Sequence, residues 1–200
     1  MFLRRDLEKG VDVGYKSREG IVWSKFRKEY FNLDYDLYLC CIYLPPEYSK
    51  HEIDNCFSII ESDVAGLPEN SLVLVAGDAN ARCGLLKDYI SDSFTTPEFQ
   101  APSVNSLDNI AISNLLSDDK LQRTSWDTTI NTFGKNLIEL CIASSSLIFN
   151  GRCSKENNDS GQFTFQNSKG ESLIDYFIGS PRLLPLATME VLPKISRKRP

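Results

Sequence analysis

Polar side chains that could do chemistry follow an apolar segment near the middle of the chain. In "LVLVAGDANARCG", residues 72–84, Asp78 and Asn80 come just after the β-prone run 73–76. A run that is apolar without alternation is typical of a strand covered on both faces. An aspartate at its end pays a desolvation cost unless something uses it. The alternative is an ordinary turn, because Gly, Asp and Asn all tolerate the backbone angles that turns need.

A second carboxylate interrupts another strand-like segment, "SLIDYFIGS" at 172–180. Strand alternation places Leu173 and Asp175 on one face, with Phe177 beyond them. A carboxylate there must be paired, hydrogen-bonded or bound to a metal ion, and the simplest alternative is an aspartate that accepts N–H groups from a loop. Tyr43, near the end of "CCIYLPP", places its hydroxyl at the same edge or else packs in the core. Together these residues predict polar groups that converge at strand ends.

The order of three segments resembles a known superfamily. "IYLPP", "GDAN" and "SLIDYFIGS" resemble the endonuclease/exonuclease/phosphatase (DNase I-like) superfamily. The nearest resemblance is to the endonuclease domains of non-LTR (LINE-type) retrotransposons, because "GDANARCG" and "RTSWDTTINTFGKNLIELCIASSSLIFNGR" both follow their pattern. The resemblance extends from about residue 10 to residue 193.

The resemblance implies a metal-assisted site for phosphodiester hydrolysis of DNA. Asp78 matches the aspartate that orients or deprotonates the attacking water, and Asn80 matches the asparagine that grips a phosphate oxygen. Tyr43 matches the tyrosine that hydrogen-bonds the scissile phosphate, and Asp175 matches an aspartate that supports the site. Thr164 sits where these domains often carry a threonine near the site. Mg²⁺ is the expected ion, because it prefers carboxylate, water and phosphate oxygens.

Two parts of the family pattern are missing from this sequence. The strand that ends in the metal-binding glutamate has no counterpart before "KGVDV", and Glu8 does not resemble that segment. The family's C-terminal SDH histidine is also missing, since the one histidine, His51, stands far too early and fits an exposed helix start. The metal ligands of this chain are therefore unknown. Both ends of the domain are expected to be missing, and hydrolysis is expected to be weak or absent.

Two classes of function remain open at this stage. The first is a retrotransposon-derived, Mg²⁺-dependent endonuclease, with a phosphatase or lipid phosphodiesterase of the same superfamily as a variant that the central pattern disfavours. The second is a non-catalytic remnant or binding module that uses the same cleft. The missing glutamate and histidine favour the second class, whereas Asp78, Asn80 and Asp175 indicate descent from the first.

The elements that must position these residues follow from the hydrophobic patterns. They predict α/β architecture with two mixed β-sheets packed face to face in a sandwich and helices on the outer faces, here incomplete. The stretch 81–129 is irregular and polar. Strands are predicted at 10–16, 20–26, 36–46, 72–78, 147–151, 162–167, 171–180 and 188–193, and helices at 49–66, 134–145 and near 181–186.

Composition bounds the class of protein. With 200 residues and 42% apolar content, the chain is expected to form a single partial domain over 1–200. It has no apolar run long enough to cross a membrane and no secretory signal, so an intracellular location, nuclear or cytoplasmic, is expected. The six cysteines lack CxxC spacing and fit buried free thiols. We expect DNA as the partner by resemblance, with no membrane and no small-molecule cofactor; the sequence leaves the oligomeric state open.

Charge places a limit on nucleic-acid binding. The net charge of −5 argues against a broad electrostatic grip on DNA, which usually needs a basic face. The exception is the C-terminal cluster of Arg197, Lys198 and Arg199. This cluster fits either a solvated end or a nuclear signal or phosphate contact.

Overall fold

The computed structural model describes residues 4–51, 53–90, 121–153 and 161–191. Over these residues the protein is α/β, with one six-stranded mixed sheet and one small two-stranded sheet. The helices there are α1 Lys28–Phe31, α2 Cys56–Ala65 and α3 Thr132–Ala143, with 3₁₀ helices at Arg5–Gly10 and Pro181–Leu186. The strands are β1 Val11–Arg18, β2 Ile21–Phe26, β3 Leu37–Tyr43, β4 Leu72–Asp78, β5 Leu147–Ile148, β6 Phe165–Asn167, β7 Gly170–Ser172 and β8 Asp175–Gly179.

The large sheet has the strand order β1-β2-β3-β4-β8-β5. The hairpin β1–β2 pairs antiparallel with β3, and β3 runs parallel to β4. A parallel pair needs a crossover, and α2 lies on that connection. β8 runs antiparallel to β4 and also pairs with β5. The carboxyl ends of β3 and β4 and the amino end of β8 therefore meet at one edge of the sheet.

Helices α2 and α3 cover one face of the large sheet and form the main core with it. On β3 the buried side chains alternate, with Tyr38, Cys40 and Ile42 facing the helices. The helices contribute a matching apolar set, in which Phe57 packs edge-to-face on Phe133 at 5.4 Å between ring centroids. A second, smaller cluster lies near β5 and the second 3₁₀ helix, and contains Tyr89, Leu121, Leu147, Phe149, Cys153 and Leu184.

Both long helices begin at different residues from those that the sequence predicts. The predicted helix at 49–66 starts only at Cys56, because Asn55 is left-handed (φ 55°) and the preceding residues form turns. The predicted helix at 134–145 starts two residues earlier, at Thr132. Its N-cap is Asn131, whose side-chain oxygen accepts the N–H of Gly134 at 2.7 Å. Local side-chain hydrogen bonds set this helix start, not the apolar period.

Five strand predictions need correction. The strand predicted at 36–46 ends at Tyr43, and the strand predicted at 162–167 begins only at Phe165. The segment 171–180 is not one strand: β7 ends at Ser172 and β8 begins at Asp175, so the alternation predicted from Leu173 to Asp175 is wrong. The strand predicted at 147–151 ends at Ile148, because beyond it the side chain of Asn150 replaces the backbone in pairing with β8. No strand forms over 188–191. Residues 91–120 of the irregular stretch, 192–193 and the basic cluster lie outside the described residues.

Two predictions on general character can be checked directly. All six cysteines are free, and five of them are buried. Burial raises the pKa of Cys83 and of Cys153 to about 11, so these thiols are poor nucleophiles. Among the described helices, none combines the length and apolar character needed to cross a membrane.

Candidate functional site

Three polar side chains stand side by side where three neighbouring strands meet an edge of the sheet. Tyr43 pairs in register with Asp78 across β3 and β4, and Asp78 pairs with Asp175 across β4 and β8. Residues directly opposite each other on neighbouring strands point to the same face. We call Tyr43, Asp78 and Asp175 the strand-end row. The structure therefore brings together the three residues that the sequence predicts to converge.

The strand-end row lies on the sheet face opposite α2 and α3. On β3 and β8 the neighbouring residues Ile42 and Tyr176 are buried in the core beneath those helices. Tyr43 is 62% exposed, and Asp78 and Asp175 are half-buried. The side chain of Tyr43 is thus accessible to a ligand, and the alternative in which Tyr43 packs in the core is wrong. The strand order, not the local sequence, produces this arrangement.

Asn80 combines a turn with a place beside the row. Its backbone is left-handed (φ 46°), and its N–H donates to Oδ1 of Asp78 at 2.9 Å. Its side-chain Nδ2 donates to the carbonyl of Leu44 at 2.8 Å. An amide nitrogen carries two hydrogens, so with respect to the described residues one is left for a ligand. The turn and site interpretations of this segment are therefore compatible.

Thr164 positions the backbone that carries Asp175. Its Oγ1 accepts the N–H groups of Ile174 at 3.2 Å and Asp175 at 3.1 Å. The hydroxyl hydrogen is still available to donate, because both of these bonds use Thr164 as the acceptor. Thr164 thus lies at the predicted site, next to the backbone of Asp175.

Three supporting residues were not predicted from the sequence. Asn150 is buried, and it donates from Nδ2 to the carbonyl of Asp175 at 3.0 Å while accepting the N–H of Phe177 at 2.9 Å. Asp127 accepts the N–H of Leu173 at 3.0 Å and forms a two-pronged ion pair with Arg82. The available signals were a polar residue directly after an apolar run in "LIFNG" and an Arg just after "GDAN", whereas Asp127 is far from both site motifs in the sequence.

Two other polar residues lie away from the row. His51 is exposed in a turn, and its backbone N–H donates to Ser49. Glu8 is exposed in the 3₁₀ helix before β1, and two strands separate β1 from β4. Neither residue joins the strand-end row. His51 is exposed as expected, but the helix start expected there is wrong, because α2 begins only at Cys56.

The surroundings of Asp78 disfavour the charged form of its carboxyl group. Burial raises its pKa above the usual value. The N–H of Asn80 works against this shift, and the neighbouring charge of Asp175 adds to it. A structural carboxylate is usually paired with a cation, whereas this one faces another carboxylate. Such a perturbed acid at an open strand end is typical of a functional site.

The strand-end row contains two carboxylates, which is fewer than a metal site made of protein side chains alone would have. Among the described residues no cluster of three or more His, Cys, Asp or Glu side chains could hold a metal ion. Mg²⁺ does not need such a cage, because it is commonly held by one or two carboxylates together with water and phosphate oxygens. Asp78 and Asp175 are the carboxylates that fit this pattern. They would hold an ion whose remaining ligands are water molecules and the oxygens of a bound phosphate.

Asp78→Asn is expected to stabilise the protein at neutral pH, because it removes a partly buried charge that lies next to Asp175. The gain should be at most about 1 kcal/mol, because solvent screens the half-exposed carboxylate. The folded state raises the pKa of Asp78 above its unfolded value of about 3.9. The stability that this carboxyl group contributes is therefore complete below the unfolded pKa and is lost as pH rises through the folded pKa. The gain in the variant should therefore appear above pH 4 and vanish below it. Urea unfolding of both proteins across pH measures this difference.

The control for this prediction is Asp34→Asn, at an exposed aspartate before β3. It should change the free energy of unfolding by less than about 0.5 kcal/mol. A variant Asp78→Asn that is less stable than the wild type at neutral pH would show that the carboxylate has a structural role.

A scan against models of known protein families and a search of curated proteins both returned no match to this chain. Function is therefore inferred from the geometry of the strand-end row and its surroundings.

Proposed function

We propose that the chain carries the phosphodiester site of a DNase I-like endonuclease domain of the LINE-type retrotransposon kind. The single observation that carries the proposal is the register that aligns Tyr43, Asp78 and Asp175 across three adjacent strands. The order of the motifs along the chain adds to it, because "IYLPP", "GDAN" and "SLIDYFIGS" supply one member of the row each. The proposed substrate is DNA.

Each residue of the site has a proposed role in hydrolysis. Asp78 orients the attacking water and takes its proton as the water oxygen bonds to phosphorus and an ester P–O bond breaks. Its raised pKa suits a proton acceptor. The departing alkoxide oxygen takes a proton from solvent. The exposed hydroxyl of Tyr43 and the remaining N–H of Asn80 donate to phosphate oxygens. Asp175, whose backbone is held by Thr164 and Asn150, supports the site from the neighbouring strand.

The expected ion is Mg²⁺, with Asp78 and Asp175 as the carboxylates that would hold it. When bound, it would offset the charge that develops on the phosphate. Two carboxylates without a third acidic side chain give a weak site, in line with the missing glutamate of the family pattern. We therefore expect hydrolysis by this chain to be weak or absent.

The proposed fold is a two-sheet sandwich of the DNase I-like type. In this proposal the six-stranded sheet is one layer and the hairpin β6–β7 belongs to the other. The partly exposed apolar side chains opposite α2 and α3, such as Leu39, Leu74 and Phe177, support a second layer on that face. The strand-end row would then lie at the rim where the two layers meet.

The alternative is a non-catalytic remnant or binding module of the same fold. It is favoured by one observation: among the described residues, the row has two carboxylates and no histidine. Such a protein would keep the phosphate contacts of Tyr43 and Asn80 and lose the reaction.

A supercoiled-plasmid nicking assay with Mg²⁺ tests the proposal. The wild type should nick slowly or not at all, and any nicking should disappear in Asp78→Ala and with EDTA, but persist in the exposed control Asp34→Ala. Binding of a labelled duplex is measured in parallel by fluorescence anisotropy. Binding without nicking supports the binding module. A folded protein that neither binds nor nicks DNA, or nicking that survives Asp78→Ala, would contradict the proposal.

A further inference from the structure

A partly exposed aromatic pair is adjacent in sequence to Asp127 and Thr164, which support the site, and plays no part in the site described so far. Trp126 and Phe163 meet edge-to-face, with ring centroids 6.0 Å apart. Trp126 is 54% exposed, although tryptophan usually buries its large apolar surface. We call these two residues the aromatic pair.

Backbone contacts join the two segments that carry the aromatic pair. The N–H of Trp126 donates to the carbonyl of Gly161 at 2.8 Å. Gly161 has φ +80°, and a Cβ there would lie 2.2 Å from the carbonyl oxygen of Thr124, so the two segments are in close backbone contact. The two segments that carry the rings are thus tied together, while about half of Trp126 remains accessible.

The same two segments are joined to the backbone of Asp175. Asp127, next to Trp126, accepts the N–H of Leu173. Thr164, next to Phe163, accepts the N–H of Asp175. The aromatic pair is therefore one residue away, on each side, from the groups that position the row.

We propose that the aromatic pair is a stacking platform for an unstacked nucleobase that flanks the phosphate bound at the strand-end row. This inference rests on the proposed function, and it adds that the site prefers DNA strands whose bases are unpaired and accessible. Base–aromatic stacking needs a flat exposed ring and works with every base. It also needs no basic surface, which matters for a chain with a net charge of −5.

The chain provides its own reporter for this contact. It contains two tryptophans, and Trp23 is 1% exposed and donates its Nε1–H to Asp63 in the core. Changes in tryptophan emission on adding a ligand therefore report mainly on Trp126. The test is a titration of the full chain with a short single-stranded DNA and with an abasic strand of equal length, with Ca²⁺ in place of Mg²⁺ so that an ion can join the phosphate to the carboxylates while turnover is prevented.

The expected result is that the base-containing strand quenches the emission and binds more tightly than the abasic strand. Trp126→Ala should weaken binding of the base-containing strand by roughly 5- to 150-fold, to the level of the abasic strand. The matched control is Tyr15→Ala, because Tyr15 is 51% exposed and also packs edge-to-face, on Tyr38. It lies on β1 at the far edge of the sheet and should leave binding unchanged.

Two outcomes overturn the inference and differ in what they say of the proposed function. If the wild type binds both strands equally and without quenching, DNA binding stands but the stacking platform does not exist. If the folded wild type binds neither strand, the proposed function fails, and the inference fails with it.

Discussion

Arg152→Met is expected to lower the free energy of unfolding by about 3–5 kcal/mol. Arg152 and Asp88 form an ion pair in which each side chain is 1% exposed. The two guanidinium Nη atoms donate to the two carboxylate oxygens at 2.6 and 2.7 Å. The same guanidinium also donates to the carbonyls of Leu121 and Ile148. The substitution leaves a buried carboxylate and two carbonyls without these donors.

The loss of stability is large because the carboxylate of Asp88 loses its charged partner while it remains buried. Asp88 also accepts the N–H of Ile148, so an asparagine there keeps an acceptor without the charge. The double variant Asp88→Asn/Arg152→Met is therefore expected to be more stable than Arg152→Met alone. Urea denaturation of both variants, followed by circular dichroism, provides this comparison.

Arg27→Met is the matched control for this prediction. Arg27 pairs with Asp12 at 2.7 Å, but both side chains are about half-exposed. Solvent and salt screen such a pair, so its loss should cost less than about 1 kcal/mol. Equal losses in Arg27→Met and Arg152→Met would contradict the assignment of Arg152 as a buried structural residue.

Gly77→Ala is expected to destabilise the protein by about 3–5 kcal/mol. Gly77 precedes Asp78 in β4 and has φ +141°, a conformation that residues with a Cβ rarely adopt. A Cβ at this position would lie 2.0 Å from the carbonyl oxygen of Ile42 in β3. Relieving the clash requires β3 and β4 to separate where they align Tyr43 with Asp78.

The matched control is Gly170→Ala. Gly170 has φ +154°, close to that of Gly77, but a Cβ there would meet nothing within 4 Å. The control isolates backbone strain, which should cost about 1–3 kcal/mol. Thermal unfolding of both variants measures the difference. A loss in Gly77→Ala no larger than in Gly170→Ala would show that β3 and β4 can absorb the extra atom.

Most elements of the large sheet follow from sequence pattern. The hairpin β1–β2 and the strand β4 are predicted almost to their ends, because apolar strand residues and turn residues act over short distances. The strand β3 is predicted with its end three residues too late. Predictions fail where a distant side chain replaces a backbone partner. Asn150 does so at β5, and Asp127 and Thr164 do so between β7 and β8.

The sequence by itself determines which polar residues end the apolar strands: Tyr43, Asp78, Asn80 and Asp175 are chemically out of place in their segments. Only the tertiary structure decides that β8 inserts next to β4 and aligns Asp175 with Asp78. The physical reason is that strand order and register depend on backbone pairing between segments almost a hundred residues apart, about which a local pattern carries no information. For the same reason, only the tertiary structure brings together Trp126 and Phe163, which are 37 residues apart in the sequence.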